Sequence, residues 1–313
     1  MNSLLTYLLK KIFYAILIVL GSSILTFILF NLVVGDPTLV LLGKHATPEA
    51  RAILREELGL NQPLYVQYLD LLRSVFTFQF GHSWSSKQNI LTMLKEGMCI
   101  SLTVTVPSFV IANTLLVVVS LLMVKHRNTK LDRYFVVACI VMASIPLLVC
   151  VLFMQGFFAY KLGLFPITGY ERGFPYFVPY VILPVIIDVW LDFTSSYRYF
   201  RNIMLDEAYN DYVRTALAKG LTQNMVLFKH IFRNAIIPIV SYLVQRIPSL
   251  VFGSVVMENF FSIPGLGNIV VNAINTCDFP TIKAVTVIST IFCIAANLAG
   301  DILYRVMDPR VKI

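Results

Sequence analysis

The sequence contains few charged residues and many long apolar runs. Only 13% of its 313 residues are charged, whereas 58% are hydrophobic; a soluble domain carries about a quarter charged residues. A chain of this composition cannot cover its apolar surface in water, so we expect lipid to be its solvent. Two separate soluble domains, the usual expectation for this length, are therefore not predicted.

Motifs for catalysis and metal binding are also missing. The sequence has no GxxxxGK[ST] loop that would bind ATP phosphates, and no HExxH or GxSxG motif. Its five cysteines form no CxxC pair and its four histidines show no ligand spacing, so neither a metal site nor a cofactor is predicted. If the chain moves a solute uphill, the energy must come from an ion gradient or from a partner.

Six apolar stretches are long enough, or nearly so, to cross a bilayer. They cover residues 12–34, 100–124, 134–159, 177–193, 236–257 and 284–304. The first is too long for the apolar region of a signal peptide and no cleavage site follows it, so we interpret it as a helix that stays in place. The stretch at 177–193 is short and contains Asp188 and Asp192. The sequence thus predicts an all-α polytopic membrane protein with six transmembrane helices.

The distribution of Lys and Arg predicts the orientation, because these residues accumulate in cytoplasmic loops. The segments predicted to lie inside are 1–11, 125–133, 196–235 and 305–313; those predicted outside are 35–98, 160–176 and 258–283. The inner segments carry 15 Lys and Arg and the two short outer segments carry 3. We therefore expect both termini inside, with a single permease-like domain over about 95–304. The net charge of +8 then needs no nucleic-acid partner to explain it.

The two long loops are expected to contain short helices. In the outer loop, Thr47 and Pro48 are typical of a helix start and Gly59 of its end, so a helix is predicted over about 48–58. A second is predicted from Pro63 to before Gly81. In the inner loop, residues 196–235 offer room for two short helices broken near Gly220.

Several short motifs occur in an order that matches one transporter family. They are GDP (35–37), LGLNQPLYVQYL (58–69), FGHS (80–83), RTALAKGL (214–221), HIFRNAIIP (230–238), ENFFSIPGLGN (258–268), DFP (278–280) and DILYRVMDPRVK (301–312). With these motifs the sequence resembles the permeases of ABC importers, in their dipeptide and oligopeptide branch. The outer loop is similar to that of the first of the two permeases in such systems.

The resemblance implies a type I ABC importer permease in a bacterial cytoplasmic (inner) membrane. It implies a second homologous permease, two ATP-binding subunits that hydrolyse ATP, and an extracytoplasmic solute-binding protein as partners, besides the membrane lipids. The implied substrates are dipeptides, oligopeptides or related small solutes such as nickel chelates and glutathione. The chain itself is then not an enzyme.

The segment at 211–221 is implied to couple the permease to the ATPase. Its candidate residues are Arg214, Thr215, Ala216, Ala218, Lys219, Gly220 and Leu221. The alanines allow close approach of another surface, the basic residues can contact acids, and a glycine permits a sharp turn. The alternative is an ordinary basic cytoplasmic loop that obeys the same charge rule.

Five further residues are candidates for the pathway or its gate, namely Asp188, Arg246, Glu258, Pro264 and Gly265. A charge at mid-span costs at least about 2.5–3.5 kcal/mol on insertion scales and therefore usually faces a cavity or an opposite charge. Arg246 is expected either to line the pathway or to form a structural ion pair, with Asp188 or Asp301 as candidate partners. Glu258 opens the ENFFSIPGLGN segment, and its role is structural or gating.

Three other functions remain open from the residues alone. A secondary transporter would need a buried ion-coupling site, for which Asp188 and Arg246 are candidates. An intramembrane enzyme would need a nucleophile or metal constellation, and the spans show none. A passive assembly factor would tolerate deletion of residues 211–221.

Overall fold

The computed structural model describes residues 2–33, 37–43 and 46–307, and this part of the chain is almost entirely helical. The helices are α1 (Asn2–Val33), α2 (Pro37–Leu42), α3 (Pro48–Glu57), α4 (Leu64–Thr77), α5 (Ile90–Lys125), α6 (Lys130–Ala143), α7 (Leu147–Met154), α8 (Val178–Ala208), α9 (Asp211–Ala218), α10 (Gln223–Val226), α11 (Arg233–Phe252), α12 (Val255–Phe260), α13 (Leu266–Asn275) and α14 (Phe279–Met307). Two π-helical segments, Gln155–Lys161 and Leu227–Phe232, continue α7 and α10. Among the motif residues, Gly35, Asp36 and everything after Met307 lie outside the described part.

Four helical stretches of the described chain are long and apolar enough to cross a membrane. They are Ile90–Lys125, Val178–Ala208, Gln223–Phe260 and Phe279–Gly300. A fifth span results if the bent pair Lys130–Ala143 and Leu147–Lys161 is counted as one. A shorter apolar helix, Phe13–Leu29, lies within α1 and packs along α14.

The predicted span at 134–159 is not a straight helix. Its two halves, α6 and α7, meet at an angle of 92°. The break falls at Pro146, which precedes α7 and has an extended backbone (φ −59°, ψ 140°). Because proline has no N–H and disfavours a helical residue before it, the sequence imposes the break at this place.

Helix α8 is much longer than the predicted span at 177–193, since it continues without interruption to Ala208. The reason is the spacing of its apolar residues beyond residue 193. Tyr197, Phe200, Met204 and Ala208 recur at helical intervals and are all buried. They belong to an apolar core cluster that keeps the extension folded.

Three apolar clusters hold the helices together. The first cluster joins α5, α8, α9 and α11 around residues such as Leu116, Phe200 and Ile231. A second cluster joins α5, α7, α8 and α12 around Val151 and Ile187. The third packs α4 against α1, α5 and α14, so the outer-loop helix is attached to the membrane helices rather than free.

The two short outer-loop helices form near their predicted positions. The Thr47 hydroxyl accepts a hydrogen bond from the Ala50 N–H (3.3 Å) and so caps α3. Gly59, with φ +67°, follows its end. Helix α4 buries Leu71 and Val75 against the third cluster. A short amphipathic helix is marginal in water, and this packing explains its stability.

Asp278 connects the FGHS segment of the outer loop to the start of α14. Its carboxylate accepts hydrogen bonds from the Ser83 hydroxyl, the Trp84 N–H (3.0 Å) and the Ser85 hydroxyl (3.2 Å), and also from the Thr281 hydroxyl at 2.9 Å. Asp278 is 1% exposed, and the Trp84 ring packs edge-on against Phe279. One carboxylate thus brings two sequence motifs, about 195 residues apart in the chain, into contact.

We predict that Asp278→Ala detaches the outer loop from α14. The substitution leaves several buried donors without an acceptor, at about 1–3 kcal/mol for each orphaned group. We expect a lower melting temperature of the purified chain in detergent and faster protease cleavage between Phe80 and Asn89. Glu49→Ala, which removes an exposed carboxylate of α3, serves as the control. Equal melting temperatures for the two variants would contradict this role of Asp278.

Candidate functional site

A short amphipathic helix, α9, follows the end of α8. Its inner side buries Val213 and Ala216 in the first apolar cluster. Of the predicted coupling residues, Ala216 is therefore buried and Leu221 half-buried, whereas the other five are exposed, namely Arg214, Thr215, Ala218, Lys219 and Gly220. The exposed side consists of small and polar residues, in which Arg214 pairs with Asp211 of the same helix at 3.7 Å and Lys219 adds a further positive charge.

Gly220 ends this helix in a left-handed conformation, with φ +82°. The Gly220 N–H bonds to the Leu217 carbonyl (2.9 Å) and the Leu221 N–H to the Ala216 carbonyl (3.3 Å), as is usual for a helix that stops at glycine. No atom lies within 4 Å of the position that a Cβ would take at Gly220. Glycine is therefore required by the backbone conformation and not by packing inside this chain.

Basic residues at the end of α5 hold both flanks of the segment. The Arg127 guanidinium donates to the Ala208 carbonyl (3.3 Å) and lies over the Tyr209 ring. The Lys125 ammonium donates to the Asn224 side chain at 3.0 Å. Because Lys125 is the last residue of α5 and Arg127 lies in the turn directly after it, the segment is fixed relative to the end of that helix.

Two further polar contacts stiffen the same region. The Tyr212 hydroxyl donates to the Glu207 carboxylate, and burial, followed by this hydrogen bond, raises the pKa of Tyr212, which keeps the phenol protonated. Arg201 on α8 and Asp132 on α6 form a two-pronged ion pair with N–O distances of 2.8 and 2.5 Å. Asp132 is only 3% exposed, so the pair is largely removed from solvent.

Within the membrane helices, Arg246 of α11 pairs with Asp192 of α8. The guanidinium also donates to the Tyr242 hydroxyl (2.7 Å), which in turn bonds to the Ser196 hydroxyl (2.6 Å). The sequence had offered Asp188 or Asp301 as partners. Asp188 is not the partner, and the side chain of Asp301 lies outside the described part. The structural ion pair is therefore the arrangement found for Arg246.

A polar cavity of about 340 Å³ adjoins this ion pair. Its lining comes from α5, α7, α8 and α11 and includes Asp188, Asp192 and Arg246 together with several hydroxyl groups. Asp188 lies one helical turn before Asp192 on the same face of α8. In the part of the chain that the structure describes, no side chain or N–H forms a hydrogen bond or ion pair with Asp188.

Glu258 lies beside the outer end of this cavity, in a turn built from glycines. It is fully buried, and its Oε2 accepts from the Gly267 N–H (2.7 Å) and the Asn268 N–H (3.3 Å). Its Oε1 is buried without a hydrogen bond. A Cβ at Gly253 or Gly265 would overlap the carboxylate. Glu258 and Gly265 thus form one compact structural unit.

The turn is tied to the membrane helices by one more contact. The Ser101 hydroxyl of α5 accepts from the Leu266 N–H at 2.8 Å. Pro264 is exposed at the tip of the turn, where the Gly265 N–H bonds back to the Ile263 carbonyl at 2.8 Å. The two sequence interpretations of Glu258, structural and gating, both stay predictions.

The described residues contain no group of three or more His, Cys, Asp or Glu side chains that could hold a metal ion.

Comparison with known proteins agrees with this arrangement. Residues 116–313 match the model of the binding-protein-dependent transport system inner membrane component, and residues 4–105 match the N-terminal model of such membrane components. The chain belongs to this family of transport permeases. It is a membrane-embedded transport subunit, and the expected ABC importer permease is confirmed.

Relatives of similar length align along the whole chain. The oligopeptide transport system permease protein AppB of Bacillus subtilis is 34% identical over 98% of this chain and 99% of its own length. The dipeptide transport system permease protein DppB of Alkalihalophilus pseudofirmus is 29% identical, with 99% and 100% covered. The glutathione transport system permease protein GsiC of Salmonella typhi is 29% identical, with 99% of each chain covered.

The sequence alone missed Asp192 as the partner of Arg246 and Asp278 as the outer-loop contact. The sequence did contain a signal for the Arg246–Asp192 contact. Asp192 and Ser196 are spaced i, i+4 on one helix, and Tyr242 and Arg246 have the same spacing on another, so each pair lies on one helix face. For the second, the DFP motif was recognised only by resemblance, with no indication of what it touches.

We predict that Gly265→Ala destabilises the outer turn of this permease strongly. The new methyl group would displace the Glu258 carboxylate and the Ser101 hydroxyl from their contacts, at a cost of about 2–4 kcal/mol. Gly156→Ala is the matched control, because no atom lies within 4 Å of its Cβ position and its φ is not positive. Thermal unfolding in detergent measures the difference, and two equal melting temperatures would contradict the proposed packing.

Proposed function

We propose that this permease forms half of the translocation pathway of an ATP-driven importer of peptides. The observation that carries the proposal is the exposed face of α9 and its left-handed turn at Gly220, on a chain whose sequence contains no GxxxxGK[ST] nucleotide-binding motif. A transport subunit of this kind needs a partner to supply energy. We infer that the partner binds at α9, whose outer side is exposed. The relatives described above are permeases of oligopeptide, dipeptide and glutathione transport systems, which supports a peptide-like substrate.

The proposed topology has six spans with both termini in the cytoplasm. The four long apolar helices and the bent pair supply five, and the first is the helix around Phe13–Leu29. The excess of Lys and Arg in short inner segments supports this orientation. Under this topology α9 lies in the cytoplasm and the Asp278 contact lies outside. We propose a bacterial cytoplasmic membrane as its location, because the matching family is described as an inner membrane component and the relatives are bacterial.

The proposed partners are a second homologous permease, two ATP-binding subunits and an extracytoplasmic solute-binding protein. The residues proposed to couple to the ATPase are Arg214, Thr215, Ala216, Ala218, Lys219, Gly220 and Leu221. Leu217 and Phe228 are also exposed on this face, at 42% and 62%. A surface that combines exposed apolar side chains with basic ones suits a protein partner better than water alone.

Helix α8 connects the proposed docking surface with the cavity. Its last residue, Ala208, is held by Arg127 beside α9, and Asp192 lies sixteen residues earlier in the same unbroken helix. At 1.5 Å per residue this separation is about 24 Å. Because a packed helix moves as a unit, a displacement of α9 by the ATPase would move the wall of the cavity.

A secondary transporter that couples ions through Asp188 and Arg246 is the alternative, and it is not favoured. Arg246 is already neutralised by Asp192, and the family match is to binding-protein-dependent transport. Under the alternative, uptake in proteoliposomes that contain only the permeases would follow an ion gradient. We expect no uptake without the ATP-binding subunits, with or without a protonophore.

The coupling proposal is tested with Gly220→Val, for which Gly163→Val is a closely matched control. Both glycines have positive φ, +82° and +62°, and both have open space at the Cβ position. Each substitution therefore imposes similar backbone strain of about 1–2 kcal/mol. Gly163 lies in the loop between α7 and α8, at the opposite end of the membrane helices from Gly220.

We expect Gly220→Val to reduce copurification of the ATP-binding subunits and ATP-driven peptide uptake by about tenfold or more, because the left-handed turn shapes the docking surface. Gly163→Val should retain both. If both variants behaved like the unaltered chain, or lost activity equally, the docking role of residues 211–221 would be wrong.

A further inference from the structure

The cavity beside the Arg246–Asp192 pair contains one charge that nothing in the described chain neutralises. Its charged lining residues are Asp188, Asp192 and Arg246. Arg246 is engaged by Asp192 and by the Tyr242 hydroxyl, and Asp192 receives a further hydrogen bond from Ser196 at 3.4 Å. Asp188 therefore remains as the free carboxylate of the cavity.

The hydroxyl groups around Asp188 offer mainly acceptor lone pairs. Thr105 donates to the Leu250 carbonyl (2.7 Å), Ser108 to the Val104 carbonyl (2.7 Å) and Ser249 to the Arg246 carbonyl (2.6 Å). A hydroxyl has one proton to donate and two lone pairs. Once its proton is committed to the backbone, it presents only oxygen lone pairs to a ligand.

A cavity of this kind selects a ligand that donates hydrogen bonds and carries positive charge. A carboxylate at membrane depth without a partner is costly, and a bound cation offsets that cost. The described residues bring together no three His, Cys, Asp or Glu side chains that could hold a metal ion, so the cavity is not built as a site of that kind. An ammonium group fits well, since it has three donors and one positive charge. The volume lies within the range of about 300–1,000 Å³ typical of small-ligand sites.

We propose that Asp188 binds the protonated amino group of the transported peptide as it passes through the cavity. The assignment rests on the import of peptides proposed above. Thr105, Ser108 and Ser249 accept the remaining ammonium hydrogen bonds, and the pairing of Arg246 with Asp192 leaves Asp188 available for the ligand. The amino group belongs either to the peptide N-terminus or to a lysine side chain, which share the same chemistry.

The first test measures the electrostatic preference of the cavity without any peptide. In the assembled transporter, Cys99, Cys277 and Cys293 are replaced by Ser, and Ser249→Cys supplies a reporter thiol on the cavity wall. The reporter is labelled at pH 8 with cationic 2-aminoethyl or anionic 2-sulfonatoethyl methanethiosulfonate. The labelling rate with the cationic reagent, divided by the rate with the anionic reagent, should fall about fivefold or more when Asp188→Asn removes the charge. The same ratio should stay constant with Glu49→Gln. An unchanged ratio with Asp188→Asn overturns the proposal.

The second test measures uptake by proteoliposomes that contain the whole transporter with saturating solute-binding protein. The probes are trialanine, N-acetyl-trialanine, trialanine amide and N-acetyl-Ala-Lys-Ala. Asp188→Asn should lower the maximal uptake rate of trialanine and its amide about tenfold, while N-acetyl-trialanine should be carried equally by both proteins. If N-acetyl-Ala-Lys-Ala also depends on Asp188, the side-chain amine is accepted as well; if it does not, only the N-terminus is.

The outcomes separate this proposal from the function on which it rests. If the unaltered transporter carries none of the peptides, peptide import itself is wrong. If it carries them and Asp188→Asn transports trialanine at the same rate, only the role of Asp188 is wrong. If Asp188→Asn instead removes a dependence of uptake on the proton gradient, Asp188 binds a proton rather than the substrate, and the proposal also fails.

Discussion

The ion pair between Arg246 and Asp192 is the interaction on which the polar site between α8 and α11 depends. It places a cation and its partner between α8 and α11, where the side chains are 37% and 15% exposed, and Tyr242 and Ser196 complete its hydrogen bonds. A charge at this depth is tolerated only with such partners. Because the guanidinium is already paired, the neighbouring Asp188 is left available for another role. The same contact that stabilises the helices therefore decides which carboxylate can meet a solute.

The contacts of α8 explain how the two ends of the molecule can act together. Near its C-terminal end it is held by Arg201 to Asp132 and by Arg127 to Ala208, and Phe200 and Tyr197 fill the core beneath. Nearer its N-terminus it supplies the carboxylates of the cavity. No proline or glycine interrupts the helix between Asp188 and Ala208, so the segment lacks the usual cause of a kink. Under the proposed coupling, motion at α9 would thus be transmitted along α8 rather than absorbed by it.

The sequence predicted the helical class, the apolar stretches and the break at Gly220, because each depends on local composition. It did not predict that α8 reaches Ala208. The end of the span was placed where the apolar run stops, whereas the later residues of the helix are buried by packing against other helices of the chain. The right-angle bend at Pro146 was visible only as a proline, because its size depends on how α6 and α7 pack. The pairing of Arg246 with Asp192 required three-dimensional information: two acids lay on one face, and only the crossing of α8 and α11 decides between them.

The glycines of the two turns differ in a way that separates structural from functional constraint. At Gly253, Gly265 and Gly267 an added Cβ would meet the Glu258 carboxylate or the Val255 backbone, so the chain's own packing requires glycine there. At Gly220 no atom of the described chain occupies that space, and only the left-handed turn requires glycine. The same combination occurs at Gly163, so it does not by itself identify a contact surface. What distinguishes Gly220 is its place in the segment at 211–221, and the open side of that turn is where we expect the ATP-binding subunit to make contact.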